Sequence, residues 1–554
     1  MTFSDTKARH LRQIDATDLL KLGAPFVLVA VLLTPSIWML IVIPPLWRDV
    51  DAYLQVTLPP GPETILQYEP LYCFAARIPL YLGYAIDSVR AGHSLPALGF
   101  FIHPVLTDSG VFVLLLVQHA AFCFAGFYLI TAASGIFSVR LILALAWAAN
   151  PLLYSFAHCV GGETLSMILI ILIGATGLRI VRCDRKFPGK AWVLFGILLC
   201  LCILTRHINA ALAGLLPLTF FMLVVYRLIR MRFGRTQLLS RSDGAGAREA
   251  FQKGILAVAV GICCVLLANA LLRVVSNAAK TPYRSPVGLA FLGRLKFLAK
   301  VPVEKRNELL DKVVKNTDSA DVKNLIELLR NDLSGKSDMD VSAFRQKAQA
   351  YFSSPQTDPG GQVFHVTLHR ATLAFLYPPQ EILLAAVATD FERSQRITIP
   401  DVVAFLFVTT RFYFSHRDVM PQCASLTTFR SKNADQIFAV FKKHSYLRHP
   451  KNVSYRGFLF MWIVLFAAFV VIAKVRKLDV AGVASYAIAM IVIAVLIMLA
   501  NCLLAVFQPR YTLPMWELTI VSLFILFGGT MNALLYQSGR LHSPELNEQR
   551  KRSA

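Results

Sequence analysis

Residues 47–54 read W-R-D-V-D-A-Y-L, directly after the apolar run Ala24–Leu46. Two carboxylates, an arginine and a tyrosine therefore stand where a membrane span would end. A carboxylate in such a place can act as general base or orient a nucleophile. As a D-x-D pair, Asp49 and Asp51 are also candidate ligands for a divalent cation, Mg or Mn, although hard oxygen sites need more than two carboxylates. The plain alternative is that they only open a soluble segment, with Arg48 as ion-pair partner. If the stretch is helical, residues two apart point to different sides and one acid alone faces a site. If it is extended, both share a face.

Further chemistry-bearing residues recur at the ends of apolar runs. Tyr68-Glu69-Pro70-Leu71-Tyr72 follows in the same loop, then Asn150-Pro151, Gly162-Glu163-Thr164-Leu165 and Leu204-Thr205-Arg206. Gln508-Pro509-Arg510-Tyr511-Thr512-Leu513-Pro514 precedes the last apolar run. The guanidinium groups of Arg206 and Arg510 suit bidentate contact with phosphate oxygens, and arginines at span ends also anchor to lipid headgroups. Glu69 and Glu163 offer additional carboxylates. Tyr72 and Tyr511 suit stacking on a sugar ring or a place in the interfacial aromatic belt. His158 and His207, each near a helix end, read as polar anchors or substrate contacts.

The elements that must carry these residues are apolar. Only 16% of the 554 residues are charged and 56% are hydrophobic, with mean hydropathy +0.56. Soluble domains carry about 25% charged residues, so the composition predicts an all-α integral membrane protein. Spans are expected over roughly 24–46, 110–131, 136–157, 163–181, 191–205, 208–228, 254–274, 457–474, 480–504 and 513–536, about ten in all. The net charge of +23 would point to nucleic acid in a soluble protein. Here the basic residues cluster beside apolar runs, where they set topology, and no nucleic-acid partner is expected. Arg182, Arg185, Lys186 and Lys190, the arginines of 227–248, Lys474–Lys477 and Arg550–Arg552 all fall on one face if both termini are cytoplasmic. The ten cysteines lie mostly inside spans without zinc-site spacing and read as small packing residues.

This topology gives three parts: residues 1–274, with a first outer loop at 47–108; an extracytoplasmic, mostly helical segment at 275–456; and 457–554, the last spans and a basic tail. Within the long segment, Lys305–Leu333 has amphipathic helical spacing, and Asp401–Phe414 suits a helix lying at the interface. Ser240–Arg248 reads as a mobile cytoplasmic loop.

The ordered series Asp51-Ala52-Tyr53, Pro70-Leu71-Tyr72, Glu163, Thr205-Arg206 and Arg510-Tyr511 resembles the GT-C superfamily of membrane glycosyltransferases. It is most similar to the branch of protein O-mannosyltransferases and aminoarabinose transferases. The resemblance covers mainly 24–230 and 500–536; Glu69 stands where relatives more often show Pro. It implies a bacterial inner-membrane enzyme that moves a sugar from a polyprenyl-phosphate donor to a glycan, lipid or protein acceptor on the outer face. Asp49 or Asp51 would be the base, Arg206 and Arg510 would hold the donor phosphate, and Glu69, Tyr72, Glu163 and Tyr511 would contact substrate. Two other classes stay open: a transporter or flippase for a lipid-linked or anionic substrate, and a GT-C scaffold without catalysis.

Overall fold

The computed structural model describes residues 16–59, 70–94, 98–101, 103–183, 189–233, 237–278, 286–352, 362–377, 380–427, 436, 453–505 and 507–535. The architecture is almost wholly helical. The first part comprises α1 (Ala16–Val42), the two-residue strand β1 (Leu46–Trp47), α2 (Val50–Thr57), α3 (Pro70–Arg90), α4 (Asp108–Ala133), α5 (Phe137–Ala148), α6 (Pro151–Ala157) and β2 (Cys159–Val160). It continues with α7 (Gly162–Arg182), α8 (Gly189–Thr205), a 3-10 turn at His207–Gly214, α9 (Leu215–Phe233) and α10 (Gln237–Ala278). The long segment forms α11 (Pro286–Arg294), α12 (Val303–Lys315), α13 (Ala320–Leu333), α14 (Val341–Phe352), α15 (Gln362–Leu376), α16 (Glu381–Arg396) and α17 (Ile399–Ser415). The chain closes with α18 (Tyr455–Val475), α19 (Ala481–Leu504), a 3-10 turn at Pro509–Thr512 and α20 (Leu513–Leu534).

Among the described residues, eight helices are long and apolar enough to cross a membrane. The chain is an integral membrane protein. The expected span at 136–157 is instead two helices, α5 and α6, bent by 66°. Pro151 cannot continue a helix from Asn150, and Asn150 caps α6 by accepting from the Leu152 and Leu153 amides at 3.1 and 3.3 Å. The expected span at 191–205 is α8, with 17 residues. In α7 and α20, 78% and 61% of the apolar window is buried inside the protein, so these two helices are the centre of the bundle and the others surround them.

Three expectations are corrected. The loop 47–108 contains the 21-residue helix α3, packed along α4; Arg77, Asp87 and Arg90 interrupt its apolar pattern. Ser240–Arg248 lies inside the helix α10. Its small residues let it press on α9, and a Cβ at Gly246 would overlap the Arg227 guanidinium. The amphipathic stretch 305–333 is two helices, because Ser319 starts α13 afresh by accepting from the Val322 amide at 3.4 Å.

The long segment sits on the ends of α18 and α19 through α16 and α11. Its last helix, α17, leaves that group and lies against β1, α6 and the Pro509–Thr512 turn. Thr398 opens α17 with a reciprocal cap: the Thr398 hydroxyl accepts from the Asp401 amide, and the Asp401 carboxylate accepts from the Thr398 amide.

Candidate functional site

The lip of α1 is built by its sequence. Pro44 and Pro45 end the helix and force extended backbone. Leu46 and Trp47 then pair in parallel with Cys159 and Val160. The Leu46 amide donates to the His158 carbonyl and the Arg48 amide to the Val160 carbonyl, both at 3.3 Å. Asp49 is extended (φ −172°, ψ −174°) and is the N-cap of α2, accepting from the Ala52 amide at 2.9 Å. Asp51 is in the first turn of α2 and half-buried. The D-x-D stretch is thus half extended and half helical, and the two acids have different surroundings.

Four of the expected residues meet in one buried ion cluster. Arg48 donates from Nε to Asp49 Oδ1 at 3.0 Å and from Nη1 to Glu163 Oε2 at 2.9 Å. Arg510 pairs with Asp49 Oδ2. Glu163 Oε1 lies 3.9 Å from Arg206 Nη1 and 4.0 Å from Arg510 Nη1. The side chains are only 2–15% exposed. Burial pushes the Asp49 carboxyl up, but Arg48 and Arg510 more than offset it and hold Asp49 well below the usual carboxylate range. Tyr511 lies under both other arginines, its ring centroid 5.3 Å from Arg510 Cζ and 5.9 Å from Arg206 Cζ. These five groups comprise three guanidiniums and two carboxylates, so the cluster carries one excess positive charge.

Several neighbours fix this geometry. Gly161 lies between Arg48 and Glu163, where a Cβ would come within 3.0 Å of Arg48 Cβ and 3.2 Å of Glu163 Oε2. A side chain there would crowd the pair. Tyr72 is buried, donates to Gln118 Oε1 and accepts from the Gly161 amide, both at 3.0 Å; it braces the Glu163 turn. From α17, Thr410 Oγ1 accepts from the Trp47 amide at 2.9 Å. Below the lip, the Ile43 carbonyl can only accept, so His158 donates to it from Nε2 (2.9 Å). The neutral His158 then accepts at Nδ1 from His119 Nε2 (3.0 Å), and His119 Nδ1 accepts from Ser36 (2.9 Å). His158 is thereby an anchor of the lip. His207 lies apart, as the first residue of the 3-10 turn after Arg206.

Glu69 and Tyr68 lie outside the described residues. A divalent cation does not fit the D-x-D pair, because Asp49 is committed to two guanidiniums and the Ala52 amide, and a third guanidinium stands close by. Among the described residues, no group of three or more His, Cys, Asp or Glu side chains is arranged to hold a metal. Sequence reasoning missed the double role of Arg48, the cover provided by α17, and Glu517, a fully buried acid in α20. A single acid inside an apolar run was the available signal for Glu517. No protein-family model matches the chain, and no curated protein sequence matches it.

Proposed function

We propose that the chain is a GT-C-type glycosyltransferase that moves a sugar from a polyprenyl-phosphate donor to an envelope acceptor on the outer face of the membrane. The observation that carries this reading is the buried cluster with one guanidinium in excess at the mouth of an apolar bundle. Such a site favours an anion that arrives on a lipid tail. Arg206 and Arg510 hold the donor phosphate; Tyr511 supports both guanidiniums, and Arg48 keeps Asp49 and Glu163 in place.

In the reaction, an acceptor O–H or N–H group attacks the anomeric carbon. The bond from that carbon to the phosphate oxygen breaks, and the lipid phosphate leaves with the electron pair. Fixed guanidiniums favour the charge that gathers on the leaving phosphate. A carboxylate held as low as Asp49 is a poor proton acceptor, so Asp51 takes the proton and Asp49 positions Arg510. A second reading, a flippase for a lipid-linked anion, draws on the bent pair α5–α6 and on the buried Glu517.

The two readings differ in whether the sugar–phosphate bond is cut. The deciding experiment is mass spectrometry of lipid-linked sugars and envelope glycans in cells with wild-type protein, Asp51→Asn or no protein. Loss of one glycan modification with accumulation of its lipid-linked donor in the last two is the expected result. Unchanged glycans in all three would sink the enzyme reading.

A further inference from the structure

Two acids of α16 each carry two arginines. Asp390 pairs with Arg294, at the end of α11, and its Oδ1 lies 3.9 Å from Arg393 Nη1. Glu392 Oε1 accepts from Arg396 and lies 4.0 Å from Nη2 of Arg456, in the first turn of α18. Arg456 also donates from Nε to Gln395 Oε1 at 2.8 Å. Arg294 is buried, whereas Arg393, Arg396 and Arg456 keep 64%, 69% and 53% of their side chains exposed. Four guanidiniums thus face two carboxylates. The next acid along the chain, Asp401, is spent on capping α17, and Lys296, just beyond Arg294, is paired with Asp338 at 3.4 Å. Counting Asp401 among the acids still leaves one cation in excess.

This strip has a fixed height. The Tyr455 amide donates to the Ile397 carbonyl at 3.0 Å, and Thr398 and Ser454 form an antiparallel bridge. The C-terminal turn of α16 is therefore tied to the first turn of α18. α18 has 21 residues, about 31 Å of helix, close to the ~30 Å of a hydrocarbon core. Only 17% of its apolar window is buried inside the protein, so most of its surface meets lipid. Its first turn accordingly lies at the headgroup layer. Arg456 stands one turn before Phe460, and the exposed Phe460 and Val464 continue its face into the bilayer. Arg393 Cζ lies 5.1 Å from the centre of the Phe507 ring, just past the end of α19.

Exposed guanidiniums at headgroup depth, above a lipid-facing helix, are complementary to phosphate oxygens held in that same layer. We propose that Arg393, Arg396 and Arg456 form a binding site for the phosphate of an anionic lipid in the leaflet beside the long segment. Asp390, Glu392 and Gln395 hold the three side chains, and Arg294 holds Asp390 from within. The site shares no residue with the ion cluster at the lip and stands whatever that cluster binds. Arg396 ends α16, and only Ile397 and Thr398 separate it from α17. The lipid therefore also steadies the helix that covers the lip.

The test uses the full chain in nanodiscs of phosphatidylcholine mixed with phosphatidylglycerol, with native mass spectrometry counting the lipids each protein retains. Wild type should retain phosphatidylglycerol in preference. Arg393→Gln, Arg396→Gln and Arg456→Gln together should cut that preference by roughly tenfold or more, because each basic residue near an anionic surface contributes about fivefold. Replacing Lys474 and Arg476, at the other end of α18, with Gln should leave the preference in place. An equal loss there would overturn the site by showing that any basic span end suffices. An unchanged preference in the triple variant would overturn the proposal and leave the strip to an acidic partner in solution. Inorganic phosphate should not release the retained lipid; release would mean that the site serves a free anion, and the proposal falls. If the triple variant does not fold, Arg396→Gln alone decides: a loss of about fivefold is expected, and no loss rejects the proposal.

Discussion

Arg48 serves two acids with one guanidinium, and the arrangement depends on each partner staying in place. Replacing Glu163 with Gln removes one of two carboxylates facing three buried guanidiniums. Breaking a buried pair from one side costs about 3–5 kcal/mol, so E163Q should lower the melting temperature in detergent well below that of a surface control. Arg510→Ala removes a charge-assisted contact worth about 2 kcal/mol. It should weaken binding of a polyprenyl phosphate roughly 30-fold and leave acceptor binding unchanged, as measured by titration with each substrate. Asp49 sets a pH limit. Its folded-state carboxyl is held low, so its stabilising contribution is complete above the ordinary carboxylate value of about 4. The contribution drains away as pH falls below that value. Acid unfolding of wild type should therefore be steeper than that of Asp49→Asn, which has no such proton to gain. At this scale the sequence was informative where polar types stand out against apolar runs, as at Asp49, Glu163, Arg206 and Arg510. It was silent on which acid is committed to an arginine, because that depends on a partner at the far end of the chain.

Short elements do the positioning. β1 and β2 are two residues each, yet they join the end of α1 to the start of α7 and so put Arg48 beside Glu163. α17 seals this lip from outside through Thr410. Thr410→Val removes the acceptor for the Trp47 amide and should speed its hydrogen exchange by about fivefold to tenfold, the equivalent of one lost hydrogen bond of about 1 kcal/mol. Amides in α7 should be unaffected. The apolar stretch 401–414 was legible as a short helix suited to an interface. Its resting place was not, since the face that reads as suited to a membrane interface also suits Trp47 and α6. α3 was hidden for a different reason. Arg77 is fully buried and donates to the Gln55, Leu58 and Phe101 carbonyls, so a residue that reads as solvent-facing is spent on closing the end of α2.

At the scale of the molecule, composition alone was enough to announce helices in a membrane, because no soluble core of this hydropathy would stay in solution. The sidedness rests on the placement of Lys and Arg. It predicts that single cysteines introduced at Ala245 and Lys336 in a cysteine-free background react with an impermeant maleimide from opposite sides of the membrane. Labelling of both from one side would reverse the topology. The pairing of Asp49 with Arg510 spans a sequence separation of 461 residues, whereas Arg48 and Glu163 are separated by 115. During synthesis the early pair can therefore close well before residue 510 is made, and Asp49 must wait for the turn before α20 to arrive. A polypeptide stopped short of residue 510 would keep an acid at its rim without its second cation. Insertion of α20 is thus also the step that completes the buried ion cluster, and a copy that lacks it leaves Asp49 with Arg48 as its one guanidinium within the cluster.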